Sequence, residues 1–140
     1  MTKDSPFLSK IKRSLSASAI ELRAAGIVFL SEAPVYEDII YHCEAAIENA
    51  LRAFLIFKRK DPAPNMDIKQ MSDACIEIEP LLKKVIFKVI LLKPYSKAAD
   101  FKSNAAEAKD AILVAEKVFQ AVLERIPIDT FNPETQEKGS

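Results

Sequence analysis

Glycine is nearly absent from this chain. Only Gly26 and Gly139 occur in 140 residues. A parallel α/β enzyme or a β-sandwich needs more glycine for its turns and phosphate-binding loops, and a Gly-rich phosphate cradle has nothing here to be built from. Histidine occurs once, as His42, and cysteine twice, as Cys43 and Cys75, with no CxxC spacing. So thin a set of soft ligands argues against a zinc site, and neither a metal nor a cofactor is expected. Net charge is absent too, since 20 basic side chains balance 20 acidic ones. That argues against a general nucleic-acid binder and leaves room only for a local basic patch. Nor is there a long hydrophobic run. The most apolar stretch, VIFKVILLKP, is too short for a bilayer and is interrupted by Lys88. The N-terminus MTKDSPFLSKIKRSLSAS lacks the apolar core of a signal peptide. The expectation is a soluble, cytoplasmic protein with reduced, buried cysteines and no membrane partner.

What the chain does have is helix-forming sequence. It is 49% hydrophobic, and Ala, Leu, Ile, Glu and Lys dominate. Ser5-Pro6 reads as an N-cap and first helical residue. Behind it Leu8, Ile11, Leu15, Leu22, Ala25 and Phe29 recur at helical spacing, which predicts a helix over about 6–30. Gly26, beside Ala24 and Ala25, suggests a small-residue patch where another helix comes close. Pro34 suits the first turn of a second helix, with Glu37 and Asp38 at its positive end. Its apolar stripe runs from Tyr36 through Ile39, Cys43, Ala46, Ile47, Ala50 and Phe54 to Phe57, and Pro62 and Pro64 prevent continuation beyond KRKD.

NMDIKQMSDACIEIEP fits a short third helix with Ile68, Met71 and Cys75 on one side. LLKKVIFKVILLK is rich in Val and Ile, yet it does not alternate, and Leu82, Ile86, Val89 and Lys93 share one helical face. A last stripe, Ala108, Ala111, Ile112, Ala115, Val118, Phe119, Val122 and Ile126, ends at Pro127. The expected fold is all-α, an antiparallel up-down bundle of four to five helices. One domain fills residues 1–127, and 128–140 reads as a loose tail.

The order of these segments resembles that of HEPN domains (higher eukaryotes and prokaryotes nucleotide-binding). YHCEAAIENALRAFLIF is similar to the family's second helix, which reads like qqAvEkalKAfL. Ala46, Ile47, Glu48, Ala50, Leu51, Arg52, Ala53 and Leu55 fall on matching positions, with Arg52 replacing the usual lysine. ELRAAGIVFLSEAPVYEDII looks like the first helix and turn, NMDIKQMSDAC like the tHdLeeLl segment, and AAEAKDAILVAEKVFQAVLERI like the closing helix. The resemblance covers about residues 17–126. Met66 stands where a histidine is frequent, and KPYS, with Lys93 and Tyr95, stands in place of RYP. The arginine followed four to six residues later by histidine, carried by RNA-cleaving members, is missing: His42 has Arg23 as its nearest preceding arginine.

Glu48 and Arg52 are four residues apart in the favourable orientation for a helical ion pair, worth roughly 0.2–0.5 kcal/mol when exposed. A structural pair is the plain reading; lining a groove for an anionic ligand or partner, together with Lys93 and Tyr95, is the functional one. His42 beside Cys43 invites a nucleophile–base reading, but neighbours on a helix diverge by about 100°, and a buried thiol beside a boundary histidine explains both. KIKR and KRKD could touch phosphates, or be solvated helix ends. The segment Leu81–Leu92 carries more apolar surface than one stripe can bury; either the helix is central to its own bundle or its second flank is covered by another copy, and the expectation taken forward is a homodimer with Phe87 or Leu91 in the contact. The resemblance implies a non-catalytic module for a nucleotide, an RNA, or a nucleotidyltransferase partner of the toxin–antitoxin kind. The alternatives are a ribonuclease with an unusual site built from Lys93, Tyr95 and His42, and a helical adaptor without a ligand.

Overall fold

The computed structural model describes residues 5–127. The segment 128–140, read above as a loose tail, lies outside the described residues, as do residues 1–4. Five α-helices and one 3₁₀ turn make up the fold: α1 (Pro6–Phe29), α2 (Tyr36–Phe57), α3 (Ile68–Ile78), the 3₁₀ turn Pro80–Leu82, α4 (Lys83–Ile90) and α5 (Ala105–Leu123). No strand occurs among the described residues.

Local chemistry sets the helix ends. Ser5 Oγ accepts from the Leu8 N–H at 3.2 Å, and Pro6 follows at the first helical position, where a missing N–H costs nothing. α2 starts at Tyr36, two residues beyond Pro34, because Val35 is still extended; Glu37 and Asp38 supply negative charge to its first turn. α3 opens on a capping box. Asp67 accepts from the Gln70 N–H at 2.8 Å, and Gln70 Oε1 accepts from the Asp67 N–H at 2.9 Å.

Scarce glycine leaves its mark at the end of α2. The Lys60 N–H bonds to the Leu55 carbonyl and the Arg59 N–H to the Ile56 carbonyl, the paired pattern of a Schellman ending. Its left-handed residue, usually glycine, is Arg59 at φ 62°, a conformation that costs a non-glycine residue about 1–2 kcal/mol. The Arg59 guanidinium lies 3.5 Å from the centre of the Phe7 ring, a contact that offsets part of that cost.

α1 and α2 run antiparallel: Ser18 Oγ donates to the Ala46 carbonyl at 2.7 Å, Glu21 meets His42, and Lys10 meets Asp61. α2 is the central helix, packed against α1, α3 and α5. Its side chains Ile39, Cys43, Ile47, Leu51, Phe54 and Leu55 are buried, with Leu15 of α1, Met71 of α3, Ile86 of α4 and Val118 of α5 around them. Glu37 accepts from the Ser103 N–H at 2.6 Å, and Arg125 near the other end of α5 pairs with Glu79 after α3.

One packing expectation fails. A methyl group placed on Gly26 would meet no atom within 4 Å. The close approach expected at Gly26 is absent there: the buried residue of that turn is Ala25, and Gly26 lies half-buried at the edge of the contact.

Candidate functional site

Two hollows flank α2. The larger, about 390 Å³, lies between α2, α3 and the end of α4. Its walls are apolar: Ile40, Cys43 and Ile47 from α2, Ile68 from α3, Val89 and Leu92 from the α4 region. Glu44, Glu48, Lys69 and Lys93 bring charge to it. Ser72 also lines it. Its hydroxyl is buried and is the one buried side-chain polar atom among the described residues with no hydrogen-bond partner. Such an orphan costs about 1–3 kcal/mol relative to a satisfied one.

Glu44 is half-buried at this cleft. Its Oε2 accepts from the Tyr95 N–H at 3.1 Å. Burial pushes the Glu44 carboxyl above the usual carboxylate range; the Tyr95 hydrogen bond opposes that, and the nearby charge of Glu48 adds to it. Glu37, which also accepts a backbone N–H, shifts the other way: the Ser103 hydrogen bond lowers it, because its solvated carboxylate has little desolvation to overcome.

The tether from Glu44 sets the path of the chain after α4. The Tyr95 ring packs edge-on against Tyr41 at 5.1 Å and Phe101 at 5.4 Å between centroids. Lys93 donates to the Lys102 carbonyl, lies 3.8 Å from Glu107, and sits over the Phe101 ring. Lys69 pairs with Asp73 at 3.4 Å.

The smaller hollow, about 260 Å³, opens on the α1 side and is lined by Lys10, Arg13, Ser14, Arg52, Ile56, Asp61 and Pro62. Lys10 pairs with Asp61 at 3.2 Å. Arg13 and Arg52 have no ion-pair partner among the described residues. This part of the fold gathers the KIKR of α1 and the arginine of α2.

The four residues singled out in the sequence are therefore divided. Glu48 and Lys93 line the same cleft, Arg52 lines the other hollow, and Tyr95 adjoins the cleft through its backbone. Glu48 and Arg52 do not form the expected ion pair; no contact within 4.0 Å joins them. An i,i+4 step advances about 40° around a helix. On α2 that drift carries the row from the cleft side, at Glu44 and Glu48, to the α1 side, at Arg52 and Ile56.

His42 and Cys43 also part, as the 100° step between helix neighbours requires. His42 Nδ1 lies 2.6 Å from Glu21 Oε1 on α1, whereas Cys43 lines the cleft. Both cysteines are free and buried, and burial pushes each thiol up to about 12, so neither is a nucleophile at neutral pH. No group of His, Cys, Asp and Glu among the described residues could hold a metal ion. No helix among them is long and apolar enough to cross a membrane. On α4 Phe87 is 46% exposed, and Leu91, just after its end, is 74% exposed; Ile90 of α4 and Leu81 of the preceding 3₁₀ turn are exposed as well.

Sequence reading missed Ser72, Glu44 and Glu21, and it singled out KIKR, Lys10 to Arg13, for phosphate without joining it to Arg52. Ser72 had a signal: it stands four residues after Ile68 and three before Cys75, on the stripe of α3 itself. Glu21 had none, because its partner His42 lies on another helix; nor did the pairing of KIKR with Arg52, which are far apart in the chain and meet only through the packing of α1 on α2.

No curated protein and no solved structure matches the chain. The family model for the HEPN domain matches residues 13–126, beginning a few residues before the resemblance read from the motifs and ending at the same residue. That span takes in α1 from Arg13 onward and the other four helices, with the whole lining of the larger cleft and all of the smaller hollow's except Lys10, and the chain belongs to the HEPN domain family.

Proposed function

We propose that this HEPN domain is a non-catalytic binding module that takes a phosphate-bearing ligand, a nucleotide or an RNA, at the hollow of Lys10, Arg13 and Arg52, and that it works as a homodimer joined across the outer flank of α4. The observation that carries the reading is the convergence of Arg13 and Arg52, from different helices, on one hollow where the only acid among the described lining residues, Asp61, is taken by Lys10. Guanidinium groups free of carboxylate partners are suited to bidentate phosphate contacts. By family likeness the proposal extends to a nucleotidyltransferase as protein partner in a toxin–antitoxin setting; co-purification from the native host tests that part.

The ligand is tested by titrating the chain with ATP and with a short single-stranded RNA over a range of salt. Binding should weaken steeply with salt, and each of Arg13→Ala and Arg52→Ala should lower the RNA salt slope by about 0.7. Unchanged affinity in both variants means that the hollow is not the site.

One observation favours a second reading, a ribonuclease. His42 and Glu21 are within hydrogen-bond reach, the arrangement of a base and its orienting carboxylate. In the first reading purified protein leaves single-stranded RNA intact. Cleavage abolished by His42→Ala would establish the second.

A further inference from the structure

The larger cleft is built for chemistry opposite to that of the arginine hollow. Its capacity, about 390 Å³, is within the range of small-molecule sites, roughly 300–1,000 Å³. The walls are mostly aliphatic, so the body of a ligand there is apolar.

The charges at its edge decide what the ligand carries. Lys69 and Lys93 already have acceptors: Asp73 for the first, Glu107 and the Lys102 carbonyl for the second. The Asp67 carboxylate, also on the lining, is occupied as the cap of α3. Glu48 makes no hydrogen bond or ion pair among the described residues, and Glu44 uses only one oxygen, for Tyr95. What remains unspent is negative. The orphan Ser72 hydroxyl adds a buried group able to accept a hydrogen bond. Ser18 makes the contrast plain: equally enclosed, it donates to the Ala46 carbonyl, and its hydroxyl is explained by the fold. The hydroxyl of Ser72 is not.

We propose that this cleft binds an amphipathic cation, an aliphatic chain ending in a primary ammonium, with Glu44 and Glu48 balancing the charge and the Ser72 hydroxyl accepting a hydrogen bond. An ammonium has three donors and no acceptor, which matches two carboxylates and a hydroxyl. It also relieves the repulsion between Glu44 and Glu48. The raised carboxyl of Glu44 is the mark of a charge held near apolar walls without a countercharge. A bound cation draws that carboxyl back down, so binding releases protons and tightens as pH rises through the Glu44 titration.

The ammonium has two natural sources, a free aliphatic amine and a lysine side chain on a peptide. The probes are therefore hexylammonium, hexanol, hexanoate and a blocked lysine tripeptide, each titrated into the full chain and followed by amide chemical shifts. Hexylammonium should move the resonances of Ser72, Glu48 and Ile47. Glu48→Gln should weaken it severalfold and Glu44→Gln with Glu48→Gln at least tenfold. Ser72→Ala should weaken both hexylammonium and hexanol, and hexanoate should bind least. Glu48, a rim residue without a partner, is the variant whose folding is not in question. Tighter binding by the tripeptide than by the free amine assigns the source to a protein partner, and the reverse assigns it to a small amine. No response to hexylammonium overturns the proposal. So does binding of hexanoate as tight as that of hexylammonium, or an affinity indifferent to Glu48→Gln. None of these results bears on phosphate binding at Arg52, which the ATP titration reads separately.

Discussion

α2 between Ala50 and Ile56 and α4 between Lys83 and Ile90 are both rich in apolar side chains, and they meet opposite fates. In α2 every residue of that stretch is buried except Arg52, because α1, α3 and α5 enclose the helix. α4 buries Ile86 and Val89 and leaves Phe87 and Ile90 exposed, with Leu91 after it more exposed still. The difference lies in the number of neighbours. A helix with elements on several sides can bury residues at every angle, while a short peripheral helix buries one stripe. Apolar composition states that a surface gains from cover; it does not state which element supplies it.

The largest expected effect breaks the comparison at its core. Leu51→Ala in α2 should cost about 2–5 kcal/mol of stability, through lost burial and the cavity left behind. Leu91→Ala, measured where the chain is monomeric, should fall within about 0.5 kcal/mol of wild type. Denaturant titration checks both, and comparable losses would mean that α4 has cover not seen in the single chain. Next comes the exposed flank itself. Phe87→Asp with Leu91→Asp should convert a homodimer at micromolar concentration into a monomer, since truncating central interface anchors costs about 2 kcal/mol or more. Sedimentation reads it directly. A wild-type chain that sediments as a monomer ends the dimer proposal.

A finer contrast uses the two enclosed serines. Ser18→Ala removes the α1–α2 hydrogen bond and should destabilise by about 1 kcal/mol. Ser72→Ala removes an unpartnered hydroxyl and should be neutral or stabilising in the free protein. Equal losses would show that Ser72 has a partner in solution.

The smallest effect is a pH dependence. A carboxyl raised by folding binds its proton more tightly in the folded state, so stability is lost as pH climbs from the ordinary carboxylate value through the raised one. Glu44→Gln should therefore match wild type in acid and melt slightly higher near neutrality. Glu37 has the opposite sign. Its lowered carboxyl contributes stability above the ordinary value, which is lost as pH falls through the lowered one. Melting curves of Glu44→Gln that do not diverge from wild type over that window would mean that the carboxyl is not held in the apolar cleft.

Helices, order and family were legible from residues alone. Periodicity at Leu15, Phe54 and Val118 marks faces that end up buried, and Ser5-Pro6 marks a helix start, because both signals act within a few residues. The stripe Leu82, Ile86 and Val89 identified the covered side of α4 for the same reason. Of the candidate site, only single members were legible. Glu48 and Lys93 meet at one cleft through the tertiary fold, Arg52 meets Arg13 at another, and the ion pair that spacing suggested between Glu48 and Arg52 does not form.

The sequence by itself determined a glycine-poor, all-helical HEPN domain, with buried thiols and an apolar surplus on the α4 segment, because propensity, capping and the 3.6-residue period are local properties of the chain. Tertiary structure alone decided which charges stand together. It set Glu21 against His42, divided one face of α2 between an acidic cleft and a basic hollow, and left Ser72 without a partner. Each of these rests on how far two helices are turned toward one another. A few tens of degrees of helix rotation decide it, and no local signal in the chain encodes that angle.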